Sequence, residues 1–228
     1  MKLSVKSLLF DYGGTIDTNG VHWGEVIREA YVESKIPVSN EQFREAYIQV
    51  ERMLGSQPFI HPNHTFRDVL ELKIRLQFET LGLADFILAG EIALSCYEKT
   101  AFHIRRASLV LDQLKERYPM YLVSNFYGNL RTVLCEFNLT GYFREVIESA
   151  ETGYRKPGLE IFQIAIEKTG CLPGEVVIIG DSYKNDIQPA ERLGCPSIWL
   201  KVKGWHDGEE SIQHPLIIED FSELTDIL

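Results

Sequence analysis

The spacing of hydrophobic residues changes character along this chain. Residues 8–10, LLF, make a short apolar run that ends on Asp11 and breaks into GGT, the pattern of a strand entering a tight turn. From residue 21 to about residue 100 no convincing strand pattern follows. EQFREAYIQVERML sets Phe43, Ala46, Tyr47, Val50 and Leu54 on one helical face, with Ser39 or Asn40 as N-cap. In LELKIRLQF, Leu70, Leu72, Ile74, Leu76 and Phe78 alternate as in a strand. The residues are nevertheless strong helix formers, and Glu71 stands one helical turn before Arg75, so a helix is predicted. Residues 83–100 read as a further helix with a break near Gly90.

Beyond residue 105 helical and strand patterns alternate. SLVLDQLKERY reads as helix, MYLVSNF as strand, NLRTVLCEFNL as helix and REVIESA as a short strand. LEIFQIAIEKTG is a helix closed by Gly170, the residue suited to a left-handed cap. EVVIIGDS is then a strand, NDIQPAERLG a helix, PSIWLKV and PLIIED strands, and FSELTDIL a last helix. Strands apolar on both faces and separated by helices predict a parallel sheet with right-handed crossovers. The expected fold is α/β. A Rossmann-like, doubly wound parallel sheet is built from residues 1–17 and 102–228, and an all-α cap, residues 18–101, is inserted after the first strand.

Composition narrows the function. With 228 residues, 45% hydrophobic and 25% charged, the chain can bury a sizeable core. Its formal charge of −10 speaks against nucleic acid as a partner, because a phosphate-backbone binder needs a basic face. The start, MKLSVKSLLF, is too interrupted for a signal peptide, and no apolar run approaches the roughly 20 residues a bilayer requires. Cys96, Cys135, Cys171 and Cys195 are widely spaced with no C-x-x-C pair. They are expected to be reduced thiols, mostly buried, with a Cys171–Cys195 bridge disfavoured. These features predict a cytoplasmic protein without a membrane partner.

In a parallel sheet, ligands bind beyond the carboxyl ends of the strands. The residues placed there are Asp11 after LLF, Ser124 and Asn125 after YLV, and Gly180 with Asp181 after VVII, while Lys156 in YRKPG can reach the same rim. In their order, DYGGT, SN, KP and GDSYKND resemble the four motifs of the haloacid dehalogenase-like (HAD) hydrolase superfamily, and the resemblance covers the whole chain. It implies that Asp11 is a nucleophile that attacks phosphorus and forms an aspartyl-phosphate. It also implies Mg2+ held by Asp11, the backbone carbonyl of Gly13, Asp181 and Asp186. Ser124 and the backbone amide of Asn125 would hold a phosphoryl oxygen, and Lys156 would offset the charge of the carboxylates and the phosphate. Gly14 would let the backbone turn beneath Asp11. The implied protein is a magnesium-dependent phosphatase or phosphotransferase acting on a small phosphorylated metabolite, with the cap closing over the site.

One position departs from the pattern. The phosphatases of this superfamily carry a second Asp two residues after the nucleophile, which protonates the leaving group and later activates water. Here that residue is Gly13. Such assistance contributes about 100-fold to 10,000-fold, and three consequences stay open. A phosphatase could take its proton from His22, from His64 or from metal-bound water, or use a substrate with a stable leaving group. A phosphonatase-like or dehalogenase-like reaction could need no such acid, and Lys35, Lys73 and Lys99 are available for a Schiff base. A non-catalytic phospholigand-binding protein is the third. The GDSYKND string weighs against the metal-free dehalogenases, and retention of Asp11, Ser124, Lys156 and Asp181 together weighs against lost turnover. Asp17 is expected in the hinge leading to the cap. Asp186 could instead cap the following helix, and Tyr12 and Trp23 could line the cleft or only pack. His22, His61, His64 and His206 show no metal spacing. Substrate identity and oligomeric state have no signature in the sequence.

Overall fold

The computed structural model describes residues 5–202 and 209–228, so His206 lies outside the described residues. Strand β1 (Ser7–Phe10) is central in a parallel sheet with β2 (Met120–Ser124), β3 (Glu145–Glu148), β4 (Val176–Gly180), β5 (Ser197–Leu200) and β6 (Ile217–Ile218). The sheet order is β3-β2-β1-β4-β5-β6, and every pairing is parallel. Strands β1, β2, β4 and β5 are buried along their length, as continuous apolar runs require when both faces are covered. Strand order reverses between β1 and β4, which opens a crevice beyond their carboxyl ends.

Helices α1 (Trp23–Glu33), α2 (Asn40–Ser56), α3 (Phe66–Thr80) and α4 (Phe86–Lys115) occupy the sequence between β1 and β2. The hydrophobic pattern does not single out α1, whose N-cap is His22, with Nδ1 accepting from Gly24 N at 3.0 Å. Ser39 caps α2 through a reciprocal box with Gln42, and the five predicted residues are its buried face. Thr65 and Asp68 form the same box on α3. There Val69, Leu70, Lys73, Ile74, Gln77 and Phe78 are buried at helical spacing, while Leu72 and Leu76 pack against a second cluster of Val50, Leu54, Ile60 and Val69. Burial on two sides explains why the leucines alternate as if in a strand.

Helix α4 runs unbroken for 30 residues. The expected break near Gly90 does not occur, and the expected domain boundary at 101/102 falls inside this helix. Gly90 is exposed, and a Cβ there would meet nothing within 4 Å, so no packing constraint bends the helix at that point. Helices α1–α4 share one core with the sheet, including Leu8, Phe10, Ile74, Ile92 and Leu111.

After β2 come α5 (Leu130–Glu136), α6 (Ser149–Thr152), α7 (Leu159–Thr169), α8 (Gln188–Leu193) and α9 (Leu224–Ile227). Helix α7 ends on Gly170 at φ 67°, as its sequence predicts. NDIQPAERLG divides into a π-turn, Tyr183–Ile187, and α8. All four cysteines are free, but only Cys96 and Cys195 are buried, and Cys135 on α5 is exposed. Among the described residues no helix is long and apolar enough to cross a membrane.

Asp220 ties the C-terminal segment to this frame. Its carboxylate accepts from Asn19 Nδ2 and Arg106 at 3.0 Å each and from Ser222 N at 2.9 Å. Burial pushes the group up, but Ser222, Asn19 and the Arg106 charge outweigh it and hold it at about 2. A depressed carboxylate contributes stability above its ordinary value of 3.8, and that contribution is lost as pH falls through its folded value. Asp220→Ala is expected to cost about 1 kcal/mol at neutral pH. In urea titrations the gap from the native chain should narrow steeply between pH 4 and pH 2. A gap as wide at pH 2 as at pH 7 would show that the contribution is not electrostatic.

Candidate active site

Four stretches distant in sequence meet beyond the carboxyl ends of β1, β2 and β4. Asp11 directly follows β1 and is 7% exposed, and its N–H extends the sheet by donating to Ile179 O at 2.9 Å. The Thr15 hydroxyl comes back beside it, 3.3 Å from Asp11 Oδ2 and 3.0 Å from Asp181 Oδ1, and accepts from Asp181 N at 3.0 Å. Gly14 permits this return: its φ is 96°, and a Cβ would lie 2.4 Å from the Asp181 carboxylate.

Asp181 follows β4, and the indole of Trp199 on β5 donates to its carbonyl at 2.8 Å. The chain then winds into the π-turn, with Ser182 accepting from Asn185 N at 3.2 Å. Asp186, inside that turn, is 1% exposed; its Oδ2 accepts from Ser182 N at 3.2 Å and its Oδ1 lies 2.6 Å from Lys156 Nζ. It therefore faces the site rather than capping α8, consistent with the use of π-turns to re-aim functional side chains.

Lys156, in the loop before α7, also hydrogen-bonds Asp11. Asn125, just past β2, clasps the lysine backbone: Nδ2 donates to Lys156 O at 3.0 Å, and Lys156 N donates to Oδ1 at 2.9 Å. This side-chain clasp is absent from the sequence reading, which considers only the Asn125 backbone amide. Ser124, the last residue of β2, is buried at the same rim.

Carboxylate oxygens of Asp11, Asp181 and Asp186 lie within 4.8 Å of one another. Burial, followed by the charges of Asp11 and Asp186, pushes Asp181 well above the usual carboxylate range. Burial also outweighs the Lys156 charge at Asp186 and takes it to about 6. Lys156 is raised in turn, because Asp11 and Asp186 overcome the effect of its own burial. Three acids against one ammonium leave a deficit of positive charge in an all-oxygen donor set. A hard divalent cation such as Mg2+ fits it.

Gly13 opens on a cavity of about 140 Å³ whose lining includes His22, Trp23, Tyr47, Glu51, Lys73 and Tyr127. A Cβ at Gly13 would meet nothing within 4 Å. Of the two candidate histidines, His22 lines this cavity, whereas His64 Nδ1 accepts from His61 N at 3.3 Å in the loop before α3. Trp23 lines it too, while Tyr12 is fully buried and packs edge-on against Phe126. The buried Asp17 links the nucleophile turn to α1, accepting from Gly14 N at 2.7 Å and Trp23 Nε1 at 2.9 Å. Lys35 is exposed and Lys99 pairs with Glu33 at the surface, so only Lys73 of the three candidate lysines lines the cavity. Its sequence signal is a charge at a core-phase position between Leu70 and Ile74.

A family model described as haloacid dehalogenase-like hydrolase matches residues 5–194. Glyceraldehyde 3-phosphate phosphatase of Methanothermobacter thermautotrophicus is 23% identical over 98% of this chain and 100% of its own length. The HAD-hydrolase YfnB of Bacillus subtilis, solved bound to magnesium, superposes with a TM-score of 0.62 at 23% identity, covering 98% of both chains. A dehalogenase solved with an intermediate complex has a TM-score of 0.68 at 18% identity, covering 100% of this chain and 99% of its own.

Proposed function

The chain belongs to the haloacid dehalogenase-like hydrolase family, and from that premise we propose that it is a magnesium-dependent phosphatase of a small phosphorylated metabolite. The observation that carries this reading is Lys156 bridging Asp11 and Asp186, with Asp181 alongside. Residues 18–101 are read as a cap over the core of residues 1–17 and 102–228, with α4 running from one into the other, and the four free thiols suit a cytoplasmic enzyme.

Asp11, Asp181, Asp186 and the Gly13 carbonyl would hold Mg2+. When bound, the ion would neutralise charge on the phosphoryl oxygens. One oxygen of Asp11 attacks phosphorus as the ester P–O bond breaks, giving an aspartyl-phosphate that water then hydrolyses to free Asp11 and phosphate. Lys156, Ser124 and the Asn125 amide stabilise the non-bridging oxygens, where negative charge would otherwise repel the attacking carboxylate.

His22 is assigned the proton for the leaving oxygen. Its Nδ1 accepts from Gly24, which puts the neutral ring's proton on Nε2, and its side chain lines the cavity that Gly13 opens. A Schiff base is disfavoured because Glu51, with Tyr47 beside it, raises Lys73 despite its burial and keeps it an ammonium.

The test is an aryl phosphate, whose leaving group needs little acid assistance. Turnover is expected in Mg2+, at least about 100-fold slower turnover in EDTA, and recovery on adding excess Mg2+. EDTA-resistant turnover would sink the metal assignment, and no turnover on a broad phosphate panel would favour a binding protein.

A further inference from the structure

Lys73 and Glu51 have no part in the chemistry above, yet they form an ion pair in the cavity beside the reacting centre. Lys73, from α3, is 6% exposed, and its Nζ lies 2.6 Å from the carboxylate of Glu51 on α2. Tyr127, just past β2, donates its hydroxyl to the other Glu51 oxygen at 2.7 Å. The ammonium also lies 5.5 Å from the Tyr127 ring and 6.0 Å from that of Trp23. Lys73 is buried and Glu51 half-buried, and such an ion pair adds little stability over apolar residues of similar volume, which leaves its polar groups available for a role in the cavity.

We propose that the Lys73–Glu51 pair receives the leaving group, and that this group is an uncharged, hydroxyl- or carbonyl-bearing unit. The inference rests on the phosphatase reading. Charge supports it. Lys73 has three donors, of which the pair to Glu51 engages one, and the carboxylate has spare lone pairs. A substrate hydroxyl can accept from the first and donate to the second. A substrate carboxylate would instead enter beside Glu51, and the one ammonium between them is already neutralised. The walls from Trp23, Tyr47 and Phe66 suit the carbon skeleton of such a group.

The experiment compares kcat/KM for glycerol 3-phosphate, 2-phosphoglycolate and an aryl phosphate. The native chain should prefer glycerol 3-phosphate to 2-phosphoglycolate by about tenfold or more. Glu51→Gln leaves the Lys73 charge uncompensated and should move the ratio about tenfold toward 2-phosphoglycolate. Glu51→Gln/Lys73→Met buries no unpaired charge, so it keeps the question answerable if the single variant does not fold. It should lose about tenfold in the ratio of glycerol 3-phosphate to aryl phosphate. A native preference for 2-phosphoglycolate, or an unchanged ratio in the paired variant, overturns the inference while aryl turnover leaves the phosphatase reading standing. Absence of turnover on all three compounds brings down both.

Discussion

Asp11→Asn is expected to abolish magnesium-dependent turnover, by on the order of 10⁴-fold or more, as loss of a covalent nucleophile does. The amide oxygen is a poor nucleophile at phosphorus, and no other carboxylate has the same position. Asp181 is held by Thr15 and Asp186 by Ser182 and Lys156. The substitution is nearly isosteric, and it removes one of three crowded acids while leaving Lys156 paired with Asp186. In EDTA the variant should therefore melt no lower than the native chain. This combination separates a functional carboxylate from a structural one. An Asp11→Asn protein that still turns over phosphate esters in Mg2+ would remove Asp11 as nucleophile. One that is inactive only because it melts well below the native chain would make the residue a structural support instead.

Strands β1, β2, β4 and β5 were readable because they are buried along their length, and short unbroken apolar runs bounded by turn residues mark such strands. The strand ends then pointed to the rim without any coordinates. The helices between β1 and β2 were less legible. In α3, burial on two sides mixes the helical and strand periods, and the helix-forming residue types decided between them, while the Thr65–Asp68 box that starts the helix emerged only in the structure. In α4, Gly90 looks like a breaker, but a helical glycine costs only about 1 kcal/mol against alanine, which the packing of this long helix overcomes.

The site was legible as residue types and not as contacts. Asp11, Ser124 and Asp181 announce themselves at strand ends, and Lys156 in a loop that reaches the same rim, whereas Asp186 is marked only by the resemblance of GDSYKND to the superfamily motif. The Thr15 bridge, the Asn125 clasp and the inward aim of Asp186 depend on partners brought together by the sheet or on a shift in helical hydrogen bonding, which periodicity does not encode. Glu51 was invisible for the same reason: it reads as a solvated position on α2 until Lys73 and Tyr127 meet it.

Gly13 is where sequence and structure together make the sharpest forecast. His22→Asn keeps a good N-cap on α1 while removing the imidazole, and should slow alkyl phosphate hydrolysis by about 100-fold with a much smaller effect on an aryl phosphate. Gly13→Asp returns a carboxyl group to the position that lacks one. The backbone there lies outside the left-handed region and a Cβ meets nothing within 4 Å, so the side chain enters without strain. In the His22→Asn background, Gly13→Asp should restore alkyl phosphate turnover by about 100-fold, because a carboxyl group then does the work the imidazole did. In the native background the gain should be tenfold or less, since a donor is already present. This non-additivity is the diagnostic. Equal gains in both backgrounds would show that His22 never supplied the proton, and that the native reaction proceeds without a side-chain acid. No gain in either would mean that the cavity rejects a further anion near Glu51, a result that bears on substrate charge as directly as on catalysis.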